Sequence, residues 1–182
     1  MKIEFSELDY SYGASREFEN GTWLFPPLGM PKFPNLRKEA EVGYDICFEN
    51  ELFAPVFIQY KLPRKLIRET AREWDIFQRP YYRFMIYPHH VSPQHNILVD
   101  LSLQQDFVFY LSPAFASYEE YCNHFADRTI TDNSIFIPCN LLPEVGYEYH
   151  YITYTDALSG FYWCSEPEYY GSAFTGTTGL VN

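Results

Sequence analysis

Hydrophobic positions along the chain fall into short runs of two periods, separated by prolines and small polar turns. In FSELDYSYGASREFE, residues 5–19, Phe5, Leu8, Tyr12 and Phe18 recur near helical spacing and Asn20-Gly21 supplies a stop, which predicts a helix. Four prolines between Trp23 and Asn35 predict an ordered loop with one short strand at TWLF. VGYDICFE and PVFIQYKL alternate like half-buried strands and are joined by a turn near ENEL. RKLIRETAREW, residues 64–74, places Leu66, Ile67, Ala71 and Trp74 on one side of a helix, and PYYRFMIYP follows as a strand framed by prolines. Ser92-Pro93 is a helix start for QHNILVDLSLQQ. FVFYLSP predicts a strand, SYEEYCNHF a helix, and SIFIP, YHYITYT and GFYWC three more strands.

These elements describe an α/β or α+β fold, a mixed sheet flanked by helices with added C-terminal strands. One domain is expected over residues 1–170, with a core at about 5–111, an acidic aromatic-rich extension at about 112–170 and a flexible tail at 171–182. Of the 182 residues, 17 are Tyr and 16 Phe, enough apolar material for a core and for a contact surface besides. Nothing resembles a leader or a membrane span, so a cytoplasmic protein is expected. Cys47, Cys122, Cys139 and Cys164 form no CxxC pair and read as reduced, mostly buried thiols.

Charge divides the chain in two. Residues 1–83 hold 12 of the 13 Lys and Arg beside 13 acids, whereas residues 84–182 hold Arg128 against 11 acids. A net charge of −11 repels nucleic acid at long range, so any contact with DNA must be local to the first half or depend on a protein partner or homo-oligomer.

Alternation puts Phe57, Gln59 and Lys61 on one face of their strand. A hairpin turn centred on Leu52 would set opposite each other residues whose numbers sum to 104, so that Asp45 faces Gln59 and Lys61 faces Gly43, where no side chain intrudes. A carboxylate, an amide oxygen and an ammonium then surround one point. Asp45 and Gln59 are hard oxygen ligands suited to Mg²⁺ or Mn²⁺, and Lys61 can position water and stabilise charge on a phosphodiester. On the helix read after Pro63, Arg64, Arg68 and Arg72 form a stripe suited to DNA phosphates, or else a solvated face laced by Glu69 and Glu73. His89, His90 and His95 lack metal-motif spacing and read as surface residues, with Gln94 or His95 an outside contact to substrate.

GYD followed by QYK, with Gln59 fourteen residues after Asp45, resembles the signature of the PD-(D/E)XK nuclease superfamily, closest to its Mrr-like branch in which Gln replaces an acid. The resemblance implies a restriction-endonuclease-like fold and a metal-dependent deoxyribonuclease, with Asp45, Gln59 and Lys61 at the three motif positions. It also implies a Glu from the first helix: Glu7 or Glu17, Glu7 being preferred for its place at the helix start. No Pro precedes Asp45, and Gln59 lowers the site's charge by one. A bacterial antiviral defence role follows by analogy of fold. The other class open to this sequence is a non-catalytic protein that binds partners through its acidic, tyrosine-rich half.

Overall fold

The computed structural model describes residues 1–21, 30–50, 53–164, 167–170 and 174–175. The TWLF strand, the centre of the ENEL turn and most of the tail expected from sequence lie outside these residues.

Helix α1 (Glu7–Asn20) begins in a capping box: Ser6 Oγ accepts from the Asp9 amide at 3.0 Å, and Asp9 Oδ2 accepts from the Ser6 amide at 2.9 Å. It stops at Gly21, whose φ of 73° suits glycine. Its buried face differs from the expected one. Leu8 and Tyr12 are 77 % and 61 % exposed, while Tyr10, Ala14 and Phe18, a row four residues apart, enter the core. Tyr10 can be buried because its hydroxyl donates to Ser134 Oγ at 2.8 Å, and Gly13 brings the neighbouring Ile130 and Phe125 against the helix backbone, where a Cβ would meet Ile130 Cδ1 at 2.4 Å.

A short helix α2 (Leu36–Val42), unassigned from sequence, runs from the Asn35 cap to Gly43. The first strand therefore begins later than expected, as β1 (Ile46–Asn50), antiparallel to β2 (Phe53–Tyr60). Ile46 pairs with Ile58, Cys47 with Phe57 and Phe48 with Val56, the expected register, and a bulge follows before Asn50 pairs with Phe53.

The helix expected at 64–74 is absent. Arg64–Leu66 forms strand β3 against β4 (Tyr81–Ile86), and a four-residue helix α3 (Trp74–Phe77) follows irregular turns. Pairing overrides local propensity here. Lys65 lies over the Tyr82 ring at 5.3 Å, and Glu73, read as part of a solvated face, is buried with its carboxylate accepting from Tyr81 Oη at 2.7 Å and Arg83 Nη1 at 3.0 Å.

The remaining elements are α4 (Gln94–Ser102), β5 (Phe107–Pro113), α5 (Tyr118–Asp127), β6 (Ser134–Pro138), a 3-10 turn (Cys139–Leu141), β7 (His150–Tyr154), β8 (Phe161–Cys164), β9 (Pro167–Tyr170) and β10 (Phe174–Thr175). They complete an α+β fold with two sheets. One is mixed, in the order β1-β2-β5-β6-β10 with β2 and β5 parallel; the other is antiparallel, β3-β4-β7-β8-β9. Helix α1 covers the Tyr60 and Phe109 side of the mixed sheet, through Tyr10–Tyr60 and Phe18–Phe136 ring contacts, and α5 packs against α1 through Tyr12–Phe125. Its other side carries Gln59 and Tyr110, neighbours in the parallel register, and meets α4 and the second sheet. The sheets are stitched by Tyr154, whose buried hydroxyl donates to Ser112 Oγ and Pro113 O, both at 2.7 Å. Among the described residues no helix is long and apolar enough to cross a membrane, and all four cysteines are free.

Candidate functional site

Gly43 starts the construction. Its φ of 78° ends α2, and a Cβ there would lie 3.0 Å from Gln94 O and 3.2 Å from Ile97 and Leu98 side-chain carbons, so glycine lets α2 close onto α4. The space expected for Lys61 beside Gly43 is thus filled by α4. From there the chain turns into β1; the paired register ends at the Ile46–Ile58 pair, and the Asp45 amide donates to Ile58 O at 3.0 Å, one residue short of the Gln59 expected opposite it.

Four side chains then form one hydrogen-bonded line. Lys61 Nζ donates to Gln94 Oε1 at 2.9 Å, Gln94 Nε2 to Gln59 Oε1 at 2.9 Å, and Gln59 Nε2 to Asp45 Oδ2 at 2.7 Å. An ammonium can only donate and a carboxylate only accept, so the two ends dictate which way both amides face. Asp45 Oδ2 also accepts from the Tyr60 amide at 2.8 Å, so both of these bonds fall on one carboxylate oxygen. Lys61 is held by its backbone: its amide donates to Leu111 O at 3.0 Å, and its carbonyl accepts from Ser112 Oγ at 2.8 Å. The Tyr110 ring lies 5.9 Å from Nζ.

Burial pushes Asp45 up to about 6, against the pull of the Tyr60 amide and the Lys61 charge, while the carboxylates of Glu7 and Glu39 push it further up. Burial lowers Lys61, and Glu7, Asp45 and Glu39 oppose that shift. The structure therefore brings Asp45, Gln59 and Lys61 together and sets Glu7 within their electrostatic reach. Sequence reasoning missed Glu39, which sits on the unassigned helix α2, four residues before Gly43. Asn35 as an N-cap and Gly43 as a C-cap were the signals that could have found it.

Glu17 is elsewhere. Buried on α1, it accepts from the Ile130 and Thr131 amides at 2.8 and 2.9 Å and from Thr131 Oγ1 at 2.6 Å, so its carboxylate anchors the 130–131 backbone. The three arginines form no helical stripe. Arg64 pairs with Arg83 across the β3–β4 ladder, Arg64 and Arg68 line a groove of about 840 Å³ shared with Met1, Ile3 and Leu62, and Arg72 lies where its charge reaches Cys164. His95 is buried, not at the surface: Nδ1 meets Tyr110 Oη at 3.0 Å, Nε2 meets Pro143 O at 2.9 Å, and its ring stacks between Tyr110 and Trp163.

Among the described residues no three His, Cys, Asp or Glu side chains form a group that could hold a metal ion. The donors at the strand end are nonetheless hard oxygens, Asp45 Oδ1 and Gln59 Oε1, in the field of two more carboxylates, a combination suited to a divalent cation such as Mg²⁺. No protein-family model, curated protein or solved structure matches the chain, and the reading of the site rests on its own geometry.

Proposed function

We propose that the protein is a metal-dependent endonuclease that hydrolyses DNA phosphodiester bonds at Asp45, Gln59 and Lys61, with Glu7 as the helix carboxylate. The observation that carries this reading is the line from the Lys61 ammonium to the Asp45 carboxylate, built on adjacent strand ends with Glu7 acting on both. Asp45 and Gln59 would hold Mg²⁺ or Mn²⁺, which when bound supplies Lewis acidity towards a phosphoryl oxygen. Turning Gln59 Oε1 towards Asp45 obliges Gln94 to turn as well, since two amide NH₂ groups cannot face each other, and that second turn releases Lys61 from Gln94. The freed ammonium is then available to orient the attacking water and to neutralise charge on the phosphorane. Arg64 and Arg68, beyond Leu62, offer phosphate contacts on one side. A cytoplasmic protein working with a protein partner or as a homo-oligomer, in a bacterial defence role, belongs to the same reading.

The test is incubation of the purified protein with plasmid, linear and single-stranded DNA in Mg²⁺ or Mn²⁺, beside EDTA and a Lys61→Ala variant. Metal-dependent cutting should fall by on the order of 10²–10³ in the variant. Equal inertness of both proteins on every substrate, or equal cutting by both, overturns it. A second reading, a non-catalytic interaction protein, is favoured by the full engagement of Asp45 Oδ2 and by the lack of a three-ligand group among the described residues. It predicts inertness together with an unchanged fold on Lys61→Ala.

A further inference from the structure

Two loops beside Lys61 hold aromatic rings in water. Tyr87 follows β4, and Tyr147 and Tyr149 precede β7, its antiparallel neighbour; the three are 47 %, 85 % and 51 % exposed. The rings are paired: Tyr87 and Tyr149 meet edge to face with centroids 6.1 Å apart, and His90 lies 5.6 Å from Tyr147.

Exposed rings on a loose loop would call for no explanation, but these loops are tied down. The His89 amide donates to Gly146 O at 2.9 Å. Asn96 clamps Val145 from both sides, its Nδ2 donating to Val145 O at 3.0 Å and its Oδ1 accepting from the Val145 amide at 2.9 Å; His95 Nε2 lies 2.9 Å from Pro143 O. Three consecutive residues of α4 thus divide the work. Gln94 reaches Lys61 and Gln59, while His95 and Asn96 fix the aromatic loop. Tyr87 also lines one small pocket together with Lys61 and Gln94, so the innermost of the three tyrosines borders the candidate site.

We propose that Tyr87, Tyr149, Tyr147 and His90 form a base-stacking platform and that the substrate delivered to Lys61 is single-stranded DNA. This rests on the nuclease reading for its reaction and deepens it by naming the substrate class. A duplex hides its base faces in its own stack, whereas an unpaired strand offers them to rings, and stacking of this kind tolerates any sequence. Glu144 and Glu148, exposed on the same loop, oppose a binding mode that depends on phosphate contacts there.

The probe is a fluorescently labelled oligo-dT strand, its duplex with oligo-dA and an abasic strand of equal length, titrated by anisotropy in EDTA with the Lys61→Ala protein, which removes cutting as a complication. The single strand should bind at least about tenfold tighter than the duplex or the abasic strand. Adding Tyr87→Ala and Tyr149→Ala should weaken it by about tenfold or more, and Tyr87→Phe with Tyr149→Phe should retain it. Duplex bound as tightly as single strand, or alanine variants that bind unchanged, overturns the platform. Binding to none of the oligonucleotides also overturns it and leaves the rings as a protein-contact surface. Strand binding that depends on the tyrosines without metal-dependent cutting by the wild type would sink the nuclease reading alone; duplex cutting indifferent to the tyrosines would sink the platform alone.

Discussion

Asp45 ends the hydrogen-bonded line that runs through Gln94, His95 follows Gln94 on α4, and burial keeps each neutral over part of the acid range, one as an acid and the other as a base. Asp45, raised from 3.8 to about 6, holds its proton in the folded state at pH values where the unfolded chain has lost it, so its contribution to stability is full below pH 4 and is lost as pH rises through 6. His95, lowered from 6.5 to about 4 by burial, does the opposite: its contribution is full above pH 6.5 and is lost as pH falls through 4. In the wild type the two slopes offset each other. In EDTA, urea unfolding of Asp45→Asn should therefore show stability relative to wild type rising between pH 4 and pH 7, by at most about 3 kcal/mol. His95→Gln should do the reverse, its stability relative to wild type rising as pH falls from 6.5 towards 4. A flat difference for Asp45→Asn across that interval would mean that the carboxyl is ionised throughout.

Among the elements, α2 and the β1–β2 hairpin decide where Asp45 points, and Gly43 joins them. Gly43→Ala must adopt a φ of 78° and push against Gln94 O at 3.0 Å, which should destabilise the protein by about 2 kcal/mol or more in thermal or urea unfolding. Gly146→Ala is the control, because nothing lies within 4 Å of a Cβ there, and it should stay within about 0.5 kcal/mol. The hairpin register was legible in the sequence since alternation on both strands and the turn position agree. The rest was hidden for identifiable reasons. Arg64, Arg68 and Arg72 imitate an amphipathic helix, yet the ladder with Tyr81–Arg83 prevails, a long-range pairing no local pattern records. The buried face of α1 was misread because it contains Tyr10, Ser15 and Glu17, polar by type and buried only through partners far along the chain, among them Ser134, Tyr60 and Thr131. Gln94 could be named as a candidate contact, but its bond to Lys61 depends on α4 packing against α2.

In the whole molecule, the second sheet supports the site from behind. Tyr154 Oη donates to Ser112 Oγ, which donates to the Lys61 carbonyl, so a residue of the acidic half secures the backbone of the strand that carries QYK. Tyr154→Phe should cost about 1–2 kcal/mol in urea unfolding and speed hydrogen exchange at the Lys61 amide; unchanged exchange there would show that the first sheet holds Lys61 unaided. The same arrangement bears on synthesis. Every candidate site residue has been translated by Gln94, but β2 finds its parallel partner only at residues 107–111, and the far neighbours of β5 and β4 are residues 134–138 and 150–154. A chain still emerging from the ribosome at residue 111 would hold all the reactive groups without the frame that aligns them. Alignment of the line from Lys61 to Asp45 therefore waits until residues 134–154 have left the ribosome and joined the two sheets.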